Sequence, residues 1–204
     1  MYRREDLVSY FAPNMVSPQL DLTHTPLYDS FTIAAGAALT EATSAMFTTP
    51  IGSGGKTLAQ TNLKFANKLQ TGEIFAIMVF QLRIAENILF ADLLTVLNGY
   101  VFRFFLGTDK PFQVIPIWAA PAGGGIAGYA ATTVAATSLV ATTNGQPTNA
   151  AVRMLATPIP IDSNMNFSAN LGGTASSTLT AGGSGGTGLT FMALLDGIYG
   201  RLVM

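Results

Sequence analysis

Between residues 73 and 85 the chain is apolar at both phases of a two-residue alternation: Phe75, Ile77 and Val79 share one face of a strand, and Phe80, Leu82 and Ile84 the other. A strand of this kind has no face to offer water. It is expected to lie between two layers, which a one-sided sheet cannot provide.

The remaining patterns supply strands rather than helices for those layers. Strand-like segments run over residues 28–35, over 45–49 as far as Pro50, weakly over 62–69, and over 100–106 and 112–118. Others cover 132–142, 152–156, 166–171, 189–195 and 198–203. Pro116 predicts an edge strand or a bulge. One short helix is expected after Glu86-Asn87, which offer an N-cap, because apolar residues recur at Ile88, Leu89, Leu93, Val96 and Leu97 before Gly99 at the C′ position. Turns and long Gly-rich loops fall at 52–55, 119–128, Asn144-Gly145 and 182–186.

This order does not alternate strand with helix, so a parallel α/β sheet is excluded, and no fixed-period repeat supports a solenoid or propeller. The expected fold is all-β, an antiparallel sandwich with one short helix. The Gly/Ser-rich segment at 182–188 is not a domain linker, since only 16 residues follow it, too few for a second core. One domain is expected over 28–204.

Residues 1–27 carry Pro13, Pro18 and Pro26 and sustain neither strand nor helix period, apart from one helical turn near residues 4–10. They read as an extended arm. Apolar side chains with no local core, together with the mixed charges of Arg3-Arg4-Glu5-Asp6, suit contact with a neighbouring subunit. Arg3, Arg4, Leu7, Tyr10, Phe11 and Met15 are the candidate interface residues.

Charged residues make up 10% of the 204, and apolar residues 49%, against a usual charged share of about 25%. Such a surface tends to be covered by something. No run approaches the roughly 20 apolar residues of a spanning helix, and residues 7–13 are too short and broken for the apolar part of an export signal. With net charge −1 and no basic run longer than Arg3-Arg4, direct nucleic-acid binding is expected to be weak or absent.

Chemistry is equally sparse. There is no cysteine, and His24 in Thr23-His24-Thr25-Pro26 is the single histidine, so neither a Ser/His/Asp triad nor a His/Cys metal site can be assembled. The carboxylates Asp29, Glu41, Glu73, Glu86, Asp109, Asp162 and Asp196 fall at expected ends and turns. Asp162-Ser163-Asn164-Met165-Asn166 lacks the glycine and distal glutamate of a calcium loop and reads as a turn. Gly52-Ser53-Gly54-Gly55-Lys56-Thr57 has a P-loop flavour, but its glycines are too close and no helix follows. Phe102 and Phe104 on one strand face, with Arg103 and Phe105 on the other, read as core filling, as do Phe112 and Trp118. No enzyme activity, catalytic residue, metal or cofactor is expected.

A series of short motifs, in order, carries a resemblance. Asp29-Ser30-Phe31-Thr32-Ile33-Ala34-Ala35-Gly36 is followed by residues 47–50, Lys56-Thr57-Leu58-Ala59-Gln60-Thr61-Asn62-Leu63 and Gly72-Glu73-Ile74-Phe75. Pro158-Ile159-Pro160-Ile161 with Phe167, and a terminal Leu194-Leu195-Asp196-Gly197-Ile198-Tyr199-Gly200-Arg201, complete it. Together they resemble the small single jelly-roll major capsid proteins of tailless icosahedral bacteriophages. The resemblance implies an eight-stranded jelly roll that self-assembles through capsomers into a virion shell, with the arm reaching a neighbour. Related capsids with internal membranes use two fused jelly rolls, and this chain is too short for two. A lattice of single jelly rolls would follow, with room for a second coat or vertex protein and for contact with an internal membrane. Before assembly such a chain would be soluble in the host cytoplasm. An extracellular filament or surface-layer subunit shares the composition, and a carbohydrate-binding jelly roll shares the fold.

Overall fold

The computed structural model describes residues 20–84, 88–107, 110–120, 127–131, 139–143, 154–173, 177–179 and 188–202. In chain order its strands are β1 (Leu20–His24), β2 (Leu27–Ile33), β3 (Ala38–Leu39), β4 (Glu73–Arg83), β5 (Tyr100–Leu106) and β6 (Pro111–Pro116). There follow β7 (Ala127–Ala131), β8 (Leu139–Thr143), β9 (Ile159–Asp162), β10 (Phe167–Gly173), β11 (Ser177–Thr178) and β12 (Leu189–Leu202). A single α-helix among the described residues, α1 (Phe90–Gly99), precedes β5, and a 3-10 turn (Ile117–Ala119) follows β6. All the strand pairings are antiparallel. The chain is an all-β protein.

The larger sheet is organised on β12. Along one side β12 pairs first with β2, from Leu189↔Ile33 to Leu195↔Leu27, and then with β1, from Ile198↔His24 to Leu202↔Leu20. Pro26 falls between the two, and the Thr25 N–H donates to the Gly197 carbonyl at 3.3 Å, so β1 and β2 act as one bent strand. On its other side β12 pairs with β4, which pairs with β9. A second sheet has the order β10-β5-β6, and Met46 bridges to Ala169 at the free side of β10. Two small pairs, β3 with β11 and β7 with β8, complete the described sheets.

The core lies between the two large sheets. Phe80 of β4 sits 5.9 and 5.1 Å, ring to ring, from Phe102 and Phe104 of β5, and Phe167 of β10 meets Phe47 and Phe104. Burying each of these side chains contributes about 1.5–3 kcal/mol, and each tilted ring pair adds about 0.5–1.5 kcal/mol.

The double-faced character of β4 has a different origin from the one its alternation suggests. Opposite Asp196 stands Val79, but opposite Gly197 stands Ile77, so Met78 is an extra residue in a β-bulge. One extra residue inverts the phase. Phe75 and Ile77 before the bulge therefore share one core with Phe80, Leu82 and Ile84 after it, where simple alternation put them on opposite faces. Ala76 and Val79 are buried too, outside that cluster. The Met78 carbonyl accepts the Leu155 N–H at 2.8 Å.

Other expectations are corrected in the same physical terms. Residues 20–24, read as part of the arm, form β1 because β12 is long enough to need a partner there; residues 1–19 lie outside the described part. The weak strand at 62–69 is a series of turns, with Asn67 at a φ of +62° and a Phe65–Lys68 bridge. Met154–Ala156 is not strand; the strand falls instead at Ile159–Asp162, where among the described residues β9 pairs only with β4 and as an edge there tolerates Pro160. The two final strands are one, β12. The helix starts at Phe90 with Leu89 as N-cap and no side-chain cap, and Gly99 is its last residue, leading straight into β5. Glu86-Asn87, Asn144-Gly145 and residues 182–186 are outside the described residues.

Candidate functional site

The turn that starts β4 sets up the most developed polar cluster of the described residues. Gly72, at a φ of +81°, lets the chain reverse so that the Glu73 N–H donates to the Gln70 carbonyl at 2.9 Å. The Glu73 side chain is thereby turned inward and buried. It accepts from Lys64 Nζ at 2.7 Å, from the Gln70 N–H at 3.0 Å and from the Tyr199 hydroxyl of neighbouring β12.

Burial alone would push the Glu73 carboxyl up, but the donors Lys64, Tyr199 and Gln70 outweigh it and hold the group below its usual range. Tyr199 moves the opposite way: burial, then the hydrogen bond and charge of Glu73, push its phenol well above the ordinary tyrosine value. At neutral pH the cluster is thus a carboxylate, an ammonium and a neutral phenol that satisfy one another. None is poised as a base or nucleophile.

Beside the cluster lies a cavity of about 290 Å³, bounded by Thr25, Asn62, Gln70 and the Lys68 side chain as well as Lys64, Glu73 and Tyr199. Leu27, Leu63 and Leu69 form its buried floor, while Leu58 at its rim is 61% exposed. The sequence named Glu73 among turn carboxylates but offered no signal that Tyr199 and Lys64 would converge on it from 126 and 9 residues away.

A second buried cluster ties down the loop that follows β2. Asp29, fully buried, accepts from Lys56 Nζ at 2.5 Å and from the backbone N–H of Phe47. Phe47 adopts a φ of +62°, which its buried ring and this hydrogen bond hold in place. Lys56, the residue that lends 52–57 its P-loop flavour, is thereby committed to Asp29.

The other singled-out residues have local partners. His24 Nε2 lies 3.1 Å from Asp196 Oδ1, with the imidazole 70% exposed, a pairing of small energetic weight. Asp162 Oδ1 accepts from the N–H groups of Asn164 and Met165 at 2.7 and 3.1 Å, which makes the 162–166 segment an Asx-type turn. Phe102 and Phe104 are buried and Arg103 reaches Glu41 at 2.7 Å on the opposite face. Phe112 and Trp118, read as core, are instead 52% and 65% exposed, with Val114 beside them. Phe112 and Val114 lie on β6, which pairs with β5 on one side, and Trp118 lies in the 3-10 turn beyond it. The interface candidates Arg3, Arg4, Leu7, Tyr10, Phe11 and Met15 lie outside the described residues.

Among the described residues no three His, Asp or Glu side chains converge, and no helix is long and apolar enough to cross a membrane. No protein-family model, curated protein or solved structure matches the chain.

Proposed function

We propose that the chain is a structural coat subunit: a jelly roll that associates with copies of itself into a closed virion shell. The observation that carries this reading is the strand order. With β1 and β2 counted as one strand, the single Met46–Ala169 bridge taken as the place of another, and the small pairs β3–β11 and β7–β8 set aside, the order is β2-β12-β4-β9 and Met46-β10-β5-β6. In chain order these are strands one, eight, three and six in one sheet and two, seven, four and five in the other. That order is the one a two-Greek-key jelly roll would give, and it supports the reading.

Surface character supports an assembling role for that scaffold. Few charges are available to keep such a surface apart from its neighbours, and Phe112 and Val114 of β6 and Trp118 of the following 3-10 turn are each more than half exposed. The polar clusters of the described residues are internally satisfied ties. Copies of the chain are the expected partners, joined through capsomers.

Sedimentation velocity and negative-stain microscopy of the purified full chain test the proposal. Closed shells of uniform diameter are expected. Fibres would favour a filament or surface-layer subunit, and a chain that stays monomeric at high concentration in the presence of glycans it binds would replace assembly with carbohydrate recognition.

A further inference from the structure

We propose that the outer face of the larger sheet is the docking surface for residues 1–19 of a neighbouring copy of this chain. The inference rests on the assembly reading and deepens it by naming the surface and the segment that fills it.

Register decides which side chains turn away from the core. Phe75 and Ile77 belong to the core cluster and Tyr199 packs against it, so the residues that alternate with them on β4 and β12 point outward. Leu22 of β1 and Ile74 of β4 both stand opposite Gly200 of β12, Ile198 stands between His24 and Ala76, and Ala76 stands opposite Pro160 of β9. Gly200 marks the shared side: a Cβ built on it would lie 2.8 Å from Ile74 Cγ1 and 3.1 Å from Leu22 Cδ2. Leu22, Ile198, Ile74, Ala76 and Pro160 thus form an apolar stripe that crosses the sheet from β1 through β12 and β4 to β9. None of the five carries a charge.

An antiparallel sheet that covers one core commonly turns polar side chains to water on its other face. Here the outer face is apolar as well. Leu22, Ile74, Ile198 and Pro160 are half-buried and stand outside the core cluster, and the described elements in substantial contact with these four strands are one another and β2. Such a face accepts a further layer.

The position of residues 1–19 in the chain identifies that layer. They end at Leu20, which pairs with Leu202 at the far end of β12, two residues from Leu22, and they carry Leu7, Val8, Tyr10, Phe11, Met15 and Val16. Direction favours the neighbour over the chain's own sheet. Continued backward from Leu20, the path of β1 leaves the sheet beyond Leu202 and the Arg201–Glu73 pair. A return over the same face calls for a tight reversal, and the first glycine of the chain is Gly36, so none is at hand to supply a left-handed φ there. Length suffices for the longer route. The segment spans about 60 Å when extended, whereas four strands spaced about 4.8 Å apart are less than about 20 Å across.

The test uses the full chain, which has no cysteine to complicate handling, with photoreactive benzoylphenylalanine in place of Tyr10. Probe-bearing copies of natural isotope content are mixed with probe-free copies enriched in heavy nitrogen, allowed to assemble, irradiated and digested for mass spectrometry. Crosslinks are expected from light position 10 to heavy peptides that hold Leu22, Ile74 or Ile198. Ile198→Thr in the heavy copies, an outward change that keeps a β-branched residue in the strand, should lower the yield several-fold with the melting temperature nearly unchanged. Phe11→Ser in the probe-bearing copies should lower it likewise. Crosslinks confined to light–light pairs, or a yield that neither variant lowers, would overturn the proposal. Shells whose crosslinks fall on other parts of the chain would overturn this docking and leave the coat reading standing, whereas a chain that sediments as a monomer and gives no light–heavy pairs would overturn both.

Discussion

The bulge in β4 makes a strong demand on one residue of β12. A Cβ built on Gly197 would lie 1.9 Å from the Ala76 carbonyl oxygen, 2.9 Å from the carbonyl carbon and 3.2 Å from Ile77 Cα. All three are backbone atoms, so no rotamer change relieves the contact. Carbon–oxygen contacts settle near 3.3 Å, so Gly197→Ala requires the two strands to part by about 1.4 Å where they are closest. Both are held from behind, β12 by β2 and β1 and β4 by β9. Overpacking of this kind costs about 1–3 kcal/mol, and the ladder bonds beside the bulge that must lengthen add about 1 kcal/mol each. The expected loss is about 3–4 kcal/mol, a large share of a typical stability of about 5–15 kcal/mol. For a chain of this size it lowers the melting temperature by about 10 °C. Differential scanning calorimetry measures it directly, with Gly99→Ala as the control. A Cβ at Gly99 meets nothing within 4 Å, so that change should be neutral or slightly stabilising at a helix end. A Gly197→Ala protein melting within a degree or two of the parent would refute the bulge register and the close approach inferred from it.

Three further outcomes are expected. Asp29→Ala leaves Lys56 and the Phe47 N–H without their buried acceptor and should cost about 3–5 kcal/mol by urea denaturation; a loss under about 1 kcal/mol would show the loop is held by other contacts. The Glu73 carboxyl is held below its unfolded value, so its stabilisation is whole above the unfolded pKa of about 4.3 and disappears as pH falls through the lower folded value. Urea midpoints between about pH 5 and pH 3 should therefore fall less steeply for Glu73→Gln than for the parent, and equal slopes would contradict this. Deleting residues 1–19 should leave the circular dichroism and melting temperature nearly unchanged while impairing particle formation, whereas deleting 1–26 also removes the partner of the C-terminal half of β12 and should lower the melting temperature. Normal particles from the first deletion would make the arm dispensable.

Local chemistry carried much of this fold on its own. The alternation of Tyr100–Leu106 places Phe102 and Phe104 inward and Arg103 outward with no help from distant residues, because side-chain direction in a strand follows from backbone geometry alone. The same holds for the apolar run at β4, for Pro116 on an edge strand and for the Asp162 turn. Long-range pairing decided what local pattern could not. Whether residues 73–84 are two-faced or bulged depends on where β12 changes register, and a phase inversion of one residue leaves no mark in composition. Leu20–His24 carries too weak a period to be seen as a strand until the far end of β12 supplies a ladder for it. The cavity is furthest from sequence: Lys64, Glu73 and Tyr199 become neighbours only because β4 and β12 are paired antiparallel and the 58–70 segment folds over their ends. Sequence spacing describes contacts along a chain, and these contacts exist only across it.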